Sequence, residues 1–345
     1  MTARFSVLLL SLLLSGAALL SGTPALAQGN LSDEQRSIVA GVPGEGTEPP
    51  GEHYYRSNEW RQDLLIEPLR GLGGAFVGVG SDQNYTMAAM AGSEYLFLVD
   101  YDPFIPWIHA IYEQLIVASE TPEELIGRFS AENERETTAM LRTAFEGRPR
   151  ARRMVRHFTS RRAAWEGYLT RVSRLTRDGR PFSWLADPAM YSYIRRMFRQ
   201  GRVVYRNGDV TGEQTVTAVA DACNRLGTKV RVVYFSNAEQ FFPFTDQFIA
   251  NMKALPTDDR SIVFRTIRHR RLEIAPDGRW HYLIHDFPDF VARLDTGAYH
   301  RVFSFTTDLL AAGAPFLGAN GISHLTAEVP RASVEAARNR RRRSR

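Results

Sequence analysis

The chain has 345 residues, 44% of them hydrophobic and 11% aromatic, enough to fill one large core or two smaller ones. A formal charge of +5, from 43 basic and 38 acidic residues, is too mild for a nucleic-acid-binding protein. All the basic residues except Lys229 and Lys253 are arginine, and the single cysteine, Cys223, excludes an intramolecular disulfide.

Arg4 precedes an apolar run over residues 5–20, and Ala25-Leu26-Ala27 is a small-x-small cleavage site. Residues 1–27 therefore read as a secretory signal, because the run is shorter than the ~20 residues of a membrane span. The expected mature chain is exported, to the periplasm or outside the cell, and has no transmembrane segment. Residues 28–55 are polar and rich in Pro and Gly, a linker with one short helix opened by a Ser32/Gln35 capping box.

Trp60, Leu64, Leu65 and Leu69 predict a helix within residues 57–70. An apolar strand over 75–79 then runs into Gly78-x-Gly80 and a helix start. A second strand over 94–100 ends in Asp100. Trp107, Ile108, Ile111, Leu115 and Ile116 share one face of a helix over 106–119, and Thr121-Pro122 opens the next. Residues 121–200 carry helical patterns only, with Met154, Phe158, Trp165, Leu169 and Val172 on a long arginine-rich segment.

Alternation resumes with a strand at 202–205, a turn at 207–212, a helix at 213–226 and a strand at 229–235. Cys223 falls on that helix as a small buried hydrophobe. A helix at 244–255 and a strand at 261–266 follow. Segments 271–274 and 280–284 flank Pro276-Asp277-Gly278 as a hairpin, and helices are expected at 287–294 and 303–312. Residues 318–345 form a basic tail whose last eight residues, six of them arginine, should be disordered. The fold class is α/β: a Rossmann-like, mainly parallel sheet with helices on both faces, over residues 56–317. It has a helical insertion and a C-terminal β-hairpin.

Ligands of such sheets sit at the carboxyl ends of the strands. One candidate is the glycine loop, where the backbone around Gly78, Gly80, Ser81, Asp82, Gln83 and Asn84 can hold an anion or a carboxylate. Asp100 can accept hydrogen bonds from a ribose, and Asp209 ends a further strand. Ser236, Asn237 and Glu239 follow the 229–235 strand. His109, on the helix after Asp100, is either a general base or a hydrogen-bonded structural histidine. Asn84-Tyr85-Thr86 matches a glycosylation sequon, but its place in the glycine loop argues for a structural or ligand-contacting role. His281 and His285 are four residues apart on a predicted strand, ~13 Å, too far for one metal. Neither a Gly-x-Ser-x-Gly elbow nor a P-loop is present.

Phe76-Val-Gly-Val-Gly-Ser-Asp-Gln-Asn-Tyr-Thr86, Phe97-Leu-Val-Asp100, His109 with Tyr112, Gly208-Asp209 and Tyr234-Phe-Ser-Asn-Ala-Glu-Gln240 carry a resemblance over residues 70–270. In order and spacing the chain is similar to an uncharacterised family of bacterial and plant proteins, typified by a leptospiral lipoprotein. That family in turn resembles S-adenosylmethionine-dependent methyltransferases in fold. The resemblance implies that Gly78 and Gly80 lie in the methyltransferase glycine motif and that Asp100 binds the ribose. It also implies that Ser236–Gln240 form the catalytic loop, where Asn237 or Glu239 orients the nucleophile. The implied cofactor is S-adenosylmethionine or a related nucleotide-like molecule, without a metal. The chain departs from the methyltransferase pattern in Gly74-Ala-Phe-Val77, a first strand without its usual acid. The alternative expectation is a non-catalytic exported binding or structural protein. Its arginine-rich tail would contact an anionic envelope polymer.

Overall fold

The computed structural model describes residues 29–49, 51, 53–276 and 278–343, so the expected leader over 1–27 lies outside the described residues. The main sheet is built from β1 (Ala75–Gly78), β2 (Tyr95–Asp100), β3 (Val203–Asn207), β4 (Val230–Tyr234), β5 (Ile262–Ile267), β6 (His281–Asp286) and β7 (Ile322–Leu325). Their spatial order is β3-β2-β1-β4-β5-β6-β7. The first five run parallel, β6 is antiparallel to β5, and β7 runs parallel to β6. The chain thus leaves β1 toward β3, then returns to place β4 on the other side of β1. This reversal puts the topological switch point between β1 and β4.

Alternate residues of each strand feed two different cores. Phe76, Leu96, Leu98, Val232, Tyr234, Phe264 and Tyr282 point to the first face. There they meet α2 (Gln83–Ala91), α3 (Ile105–Val117) and the insertion helices α4 (Pro122–Gly127), α5 (Glu134–Ala144), α6 (Ala151–Val172) and α7 (Pro188–Arg199). Val77, Phe97, Val99, Val233, Val263 and Leu283 point the other way. That face is covered by α1 (Asp33–Ala40), α8 (Thr215–Arg225), α9 (Asp246–Ala254), α10 (Phe287–Leu294) and α11 (Phe303–Ala312). Strands buried on both sides must be apolar at nearly every position. This explains why Tyr95–Val99 and Val232–Phe235 contain no polar interruption.

Several local signals act as read. Ser32 and Gln35 form the capping box of α1, and Thr121 caps α4 through the amide of Glu124. The insertion is helical apart from a two-residue strand pair, Thr176–Arg177 with Arg180–Pro181. The antiparallel edge forms between β5 and β6, and Arg271–Ile274 stays outside it. The tight turn is local, with Ala275 N–H donating to the Trp280 carbonyl at 2.7 Å. Between residues 57 and 70 only Gln62–Leu65 and Ile66–Leu69 are helical, because Pro68 and the glycines that follow leave no room for more turns. The tail also differs from expectation. Residues 322–325 add an edge strand, and α12 (Ala332–Arg343) is helical through most of the arginine run. Cys223 is buried, and burial pushes its thiol up to about 12.

Candidate functional site

The carboxyl ends of β1 to β5 share one rim, and the glycine loop ties them together. Val79 N–H donates to the Tyr234 carbonyl at 3.0 Å, and Gly80 N–H donates to Asp100 Oδ2 at 2.7 Å. Gly80 takes φ of 86°, a left-handed conformation that a side chain would strain. The other Asp100 oxygen accepts the Asp102 amide at 2.8 Å. Burial raises this carboxyl to about 6 although both amides oppose the shift. Both oxygens expected to meet a ribose are therefore engaged with backbone.

His109 sits behind the loop, fully buried. A carbonyl only accepts, so Nε2 carries the proton and donates to the Gly80 carbonyl at 3.0 Å; Nδ1 accepts from the Tyr85 hydroxyl at 2.6 Å. Burial lowers its pKa to about 4, so the ring is neutral at pH 7. Asn84 donates to the carbonyls of Val79 and Ser81, both at 2.9 Å, and is buried away from any glycosylation machinery. Ser81 lies within 3.2 Å of both Asp82 and Gln83, and the Gln83 amide reaches toward the Tyr234 hydroxyl at 3.5 Å.

Asp82 points into the insertion, where it accepts from the Tyr168 hydroxyl at 3.0 Å and the Trp184 indole at 3.2 Å. Burial pushes its carboxyl up to about 6. An unfolded aspartate titrates near ~4, so between pH ~4 and 6 the folded chain holds the extra proton. Its stability falls as pH rises through that window. Asp82→Asn removes this titration. The variant is expected to gain on the parent by up to about 2–3 kcal/mol between pH 4 and 7, measured by urea unfolding at both ends. A constant gap between the two proteins would show that the proton is not coupled to folding.

The remaining expected residues divide between the two sides of the sheet. Ser236, with φ of 50°, turns the chain above β4, and Asn237 follows it half-buried on the rim. Asp209, beyond β3, accepts the amide and hydroxyl of Thr211 at 2.8 and 2.7 Å and closes its own turn. Glu239 drops to the second face, where it pairs with buried Arg265 of β5, whose guanidinium lies over Phe290 and Phe305. Burial pushes Glu239 up to about 7 against the pull of that arginine.

One element of the site has no strong sequence signal. The segment read as a linker, with the start of the stretch read as a helix over 57–70, crosses the rim from β3 to β6. Glu45 N–H donates to the Asn207 carbonyl at 2.8 Å, and its carboxylate accepts the Thr215 amide at the start of α8 at 2.7 Å. Thr47 donates to the Tyr101 carbonyl at 2.5 Å, and His53 meets Asp102 at 2.7 Å. Glu59 then sits over the switch point. Its carboxylate accepts from the hydroxyls of Tyr234, Ser236 (2.6 Å) and Thr266 (2.8 Å). Beyond it, Arg61 N–H donates to the Tyr282 hydroxyl at 3.2 Å. Ser236 and Tyr234 of this cluster were legible at a strand's carboxyl end; Glu59 was not.

A doubly wound sheet, a switch point at β1/β4 and polar strand ends gathered on one rim define a Rossmann-like α/β protein. The chain belongs to the family described as Domain of unknown function (DUF7790), whose model matches residues 54–326. No curated protein matches it. Among the described residues no helix is long and apolar enough to cross a membrane, and no group of three or more His, Cys, Asp or Glu side chains could hold a metal ion.

Proposed function

We propose that the chain is an exported, non-catalytic binding protein that keeps a methyltransferase-like scaffold and binds anionic polymers through its arginine-rich helical insertion. The observation that carries this reading is the strap of Glu45, Thr47, His53, Glu59 and Arg61 lying across the rim. A nucleotide-like ligand would have to displace it. Eight hydrogen bonds at ~1 kcal/mol each, several of them to carboxylates, set a cost near ~8 kcal/mol. That cost would weaken an intrinsic micromolar ligand by about 10⁶-fold. The acid missing from Gly74–Val77 and the cytoplasmic origin of S-adenosylmethionine support the same reading.

The insertion supplies the binding surface. Residues 148–180 hold eleven arginines and only two carboxylates, Glu166 and Asp178. Arg150, Arg152, Arg153, Arg156, Arg171 and Arg174 are exposed and form no ion pair among the described residues. Aromatic rings hold several guanidinium groups in place. Arg153 lies 5.7 Å from the Trp107 ring and Arg171 3.7 Å from that of Trp60. The solvent side between these clusters is Ser160, Ala163, Ala164 and Gly167, smooth enough for a chain to lie along the helix.

Two measurements test the reading. Millimolar S-adenosylmethionine or S-adenosylhomocysteine is expected to leave Tm unchanged, whereas a ligand at a hundred times its Kd adds ~2.7 kcal/mol. Heparin, as a probe polyanion, is expected to bind with an affinity that falls steeply with salt, as counterion release requires. Replacing Arg152, Arg153, Arg156 and Arg171 by Gln should weaken it by about 100-fold and leave Tm unchanged. A saturable Tm rise with the nucleotide, or unaltered heparin binding by the variant, overturns the proposal.

A further inference from the structure

We propose that a hollow beside the β4–β5 end of the sheet is a second, separate site that binds an anionic amphiphile: a phosphate or carboxylate head on a short apolar body. The hollow has a volume of about 370 Å³ and lies between residues 269–271, just past β5, and α11. Volumes of this order suit a small ligand. It goes beyond the polymer-binding reading, because it shares no residue with the insertion.

Its two ends differ in chemistry. One end is cationic: His269, Arg270 and Arg271 line it consecutively, and none of them forms an ion pair among the described residues. Arg271 N–H donates to His269 Nδ1 at 3.3 Å, so the neutral ring keeps its proton on Nε2 as a further donor. Partial burial first, and then the neighbouring Arg270 and Arg271 charges, lower the His269 pKa.

The other end is apolar. Phe303, with 37% of its surface exposed, Leu310 and Ala311 form it. Thr306 and Thr307 add no free donor there, because both hydroxyls donate to the Phe303 carbonyl at 2.8 and 3.1 Å. A ligand polar all round would leave its far end unmatched, and a purely apolar one would leave the cations unanswered. Only a molecule with one charged end satisfies both.

The hollow is also built on firm ground. Arg268 N–H donates to Gln240 Oε1 at 3.3 Å, which ties the cationic loop to the Ser236–Gln240 turn. The helix bearing Phe303 and Thr306 also carries Phe305, which packs over the buried Arg265 guanidinium.

The test uses the full mature chain at fixed ionic strength, with octyl phosphate, octanoate, inorganic phosphate and octanol as calorimetric probes. Octyl phosphate is expected to bind at least tenfold more tightly than inorganic phosphate or octanol, and comparison with octanoate shows which head is preferred. Arg270→Ala with Arg271→Ala should weaken octyl phosphate at least tenfold. Phe303→Ala should weaken octyl phosphate while leaving inorganic phosphate unchanged. All three residues are at least partly exposed, so circular dichroism should show intact variants. The proposal fails if octyl and inorganic phosphate bind equally, which would mark a plain charge patch. It also fails if the double variant binds octyl phosphate as the parent does, or if no probe binds at millimolar concentration.

Discussion

Glu239→Ala or Arg265→Ala alone is expected to cost about 3–5 kcal/mol in urea unfolding, while Glu239→Leu combined with Arg265→Met should cost far less. Both side chains are essentially inaccessible, and among the described residues each is the other's only ion-pair partner within 4 Å. Burial opposes both charges, raising the Glu239 pKa and lowering that of Arg265, so each is held by its partner's field. Removing one partner strands the other among Phe290 and Phe305. Removing both replaces an expensive pair with contacts of the kind already around it. If the double variant is as unstable as the singles, the side chains matter through shape and the charge argument fails.

Gly78→Ala is the second large effect, expected at about 3–4 kcal/mol from overpacking plus two lost hydrogen bonds. A Cβ there would lie 2.1 Å from Asn84 Oδ1 and 2.8 Å from the Phe76 ring. The Asn84 amide cannot swing aside without releasing the carbonyls of Val79 and Ser81. Gly80→Ala should cost less, about 1–2 kcal/mol for the left-handed backbone, since the nearest atoms to its Cβ are at the far end of the Gln83 side chain, 2.5 Å away, and not backbone. Chemical denaturation of both variants checks the order. A fully stable Gly78→Ala protein would return this glycine to the role of admitting a ligand.

These two cases show what the sequence could and could not disclose. Strand and helix positions were legible because both-sided burial demands unbroken apolar runs and because Ser32, Thr121 and the glycine turns punctuate them. The gathering of Gly78–Asn84, Asp100, Ser236 and Asn237 on one rim was legible too, since parallel strands open toward one edge. The partners of these groups were not. Asp100 reads the same in one dimension whether it meets a ribose or the amide of Gly80. The direction of Glu239 depended on a strand parity that the turn at Ser236 resets. Glu59 lies in a stretch without periodicity, and its three hydroxyl donors come from residues more than 170 positions away.

That separation orders the events of folding. The stretch from Glu45 to Glu59 is among the first to be synthesised, yet its landing points at Asn207, Tyr234 and Thr266 are among the later ones. The bond from Thr266 to Glu59 cannot form until β5 has joined the sheet, and contacts so distant in the chain form slowly. The closing of the switch point by Glu59 is then among the slower contacts to form. Until it forms, the carboxyl ends of β4 and β5 stand open to water.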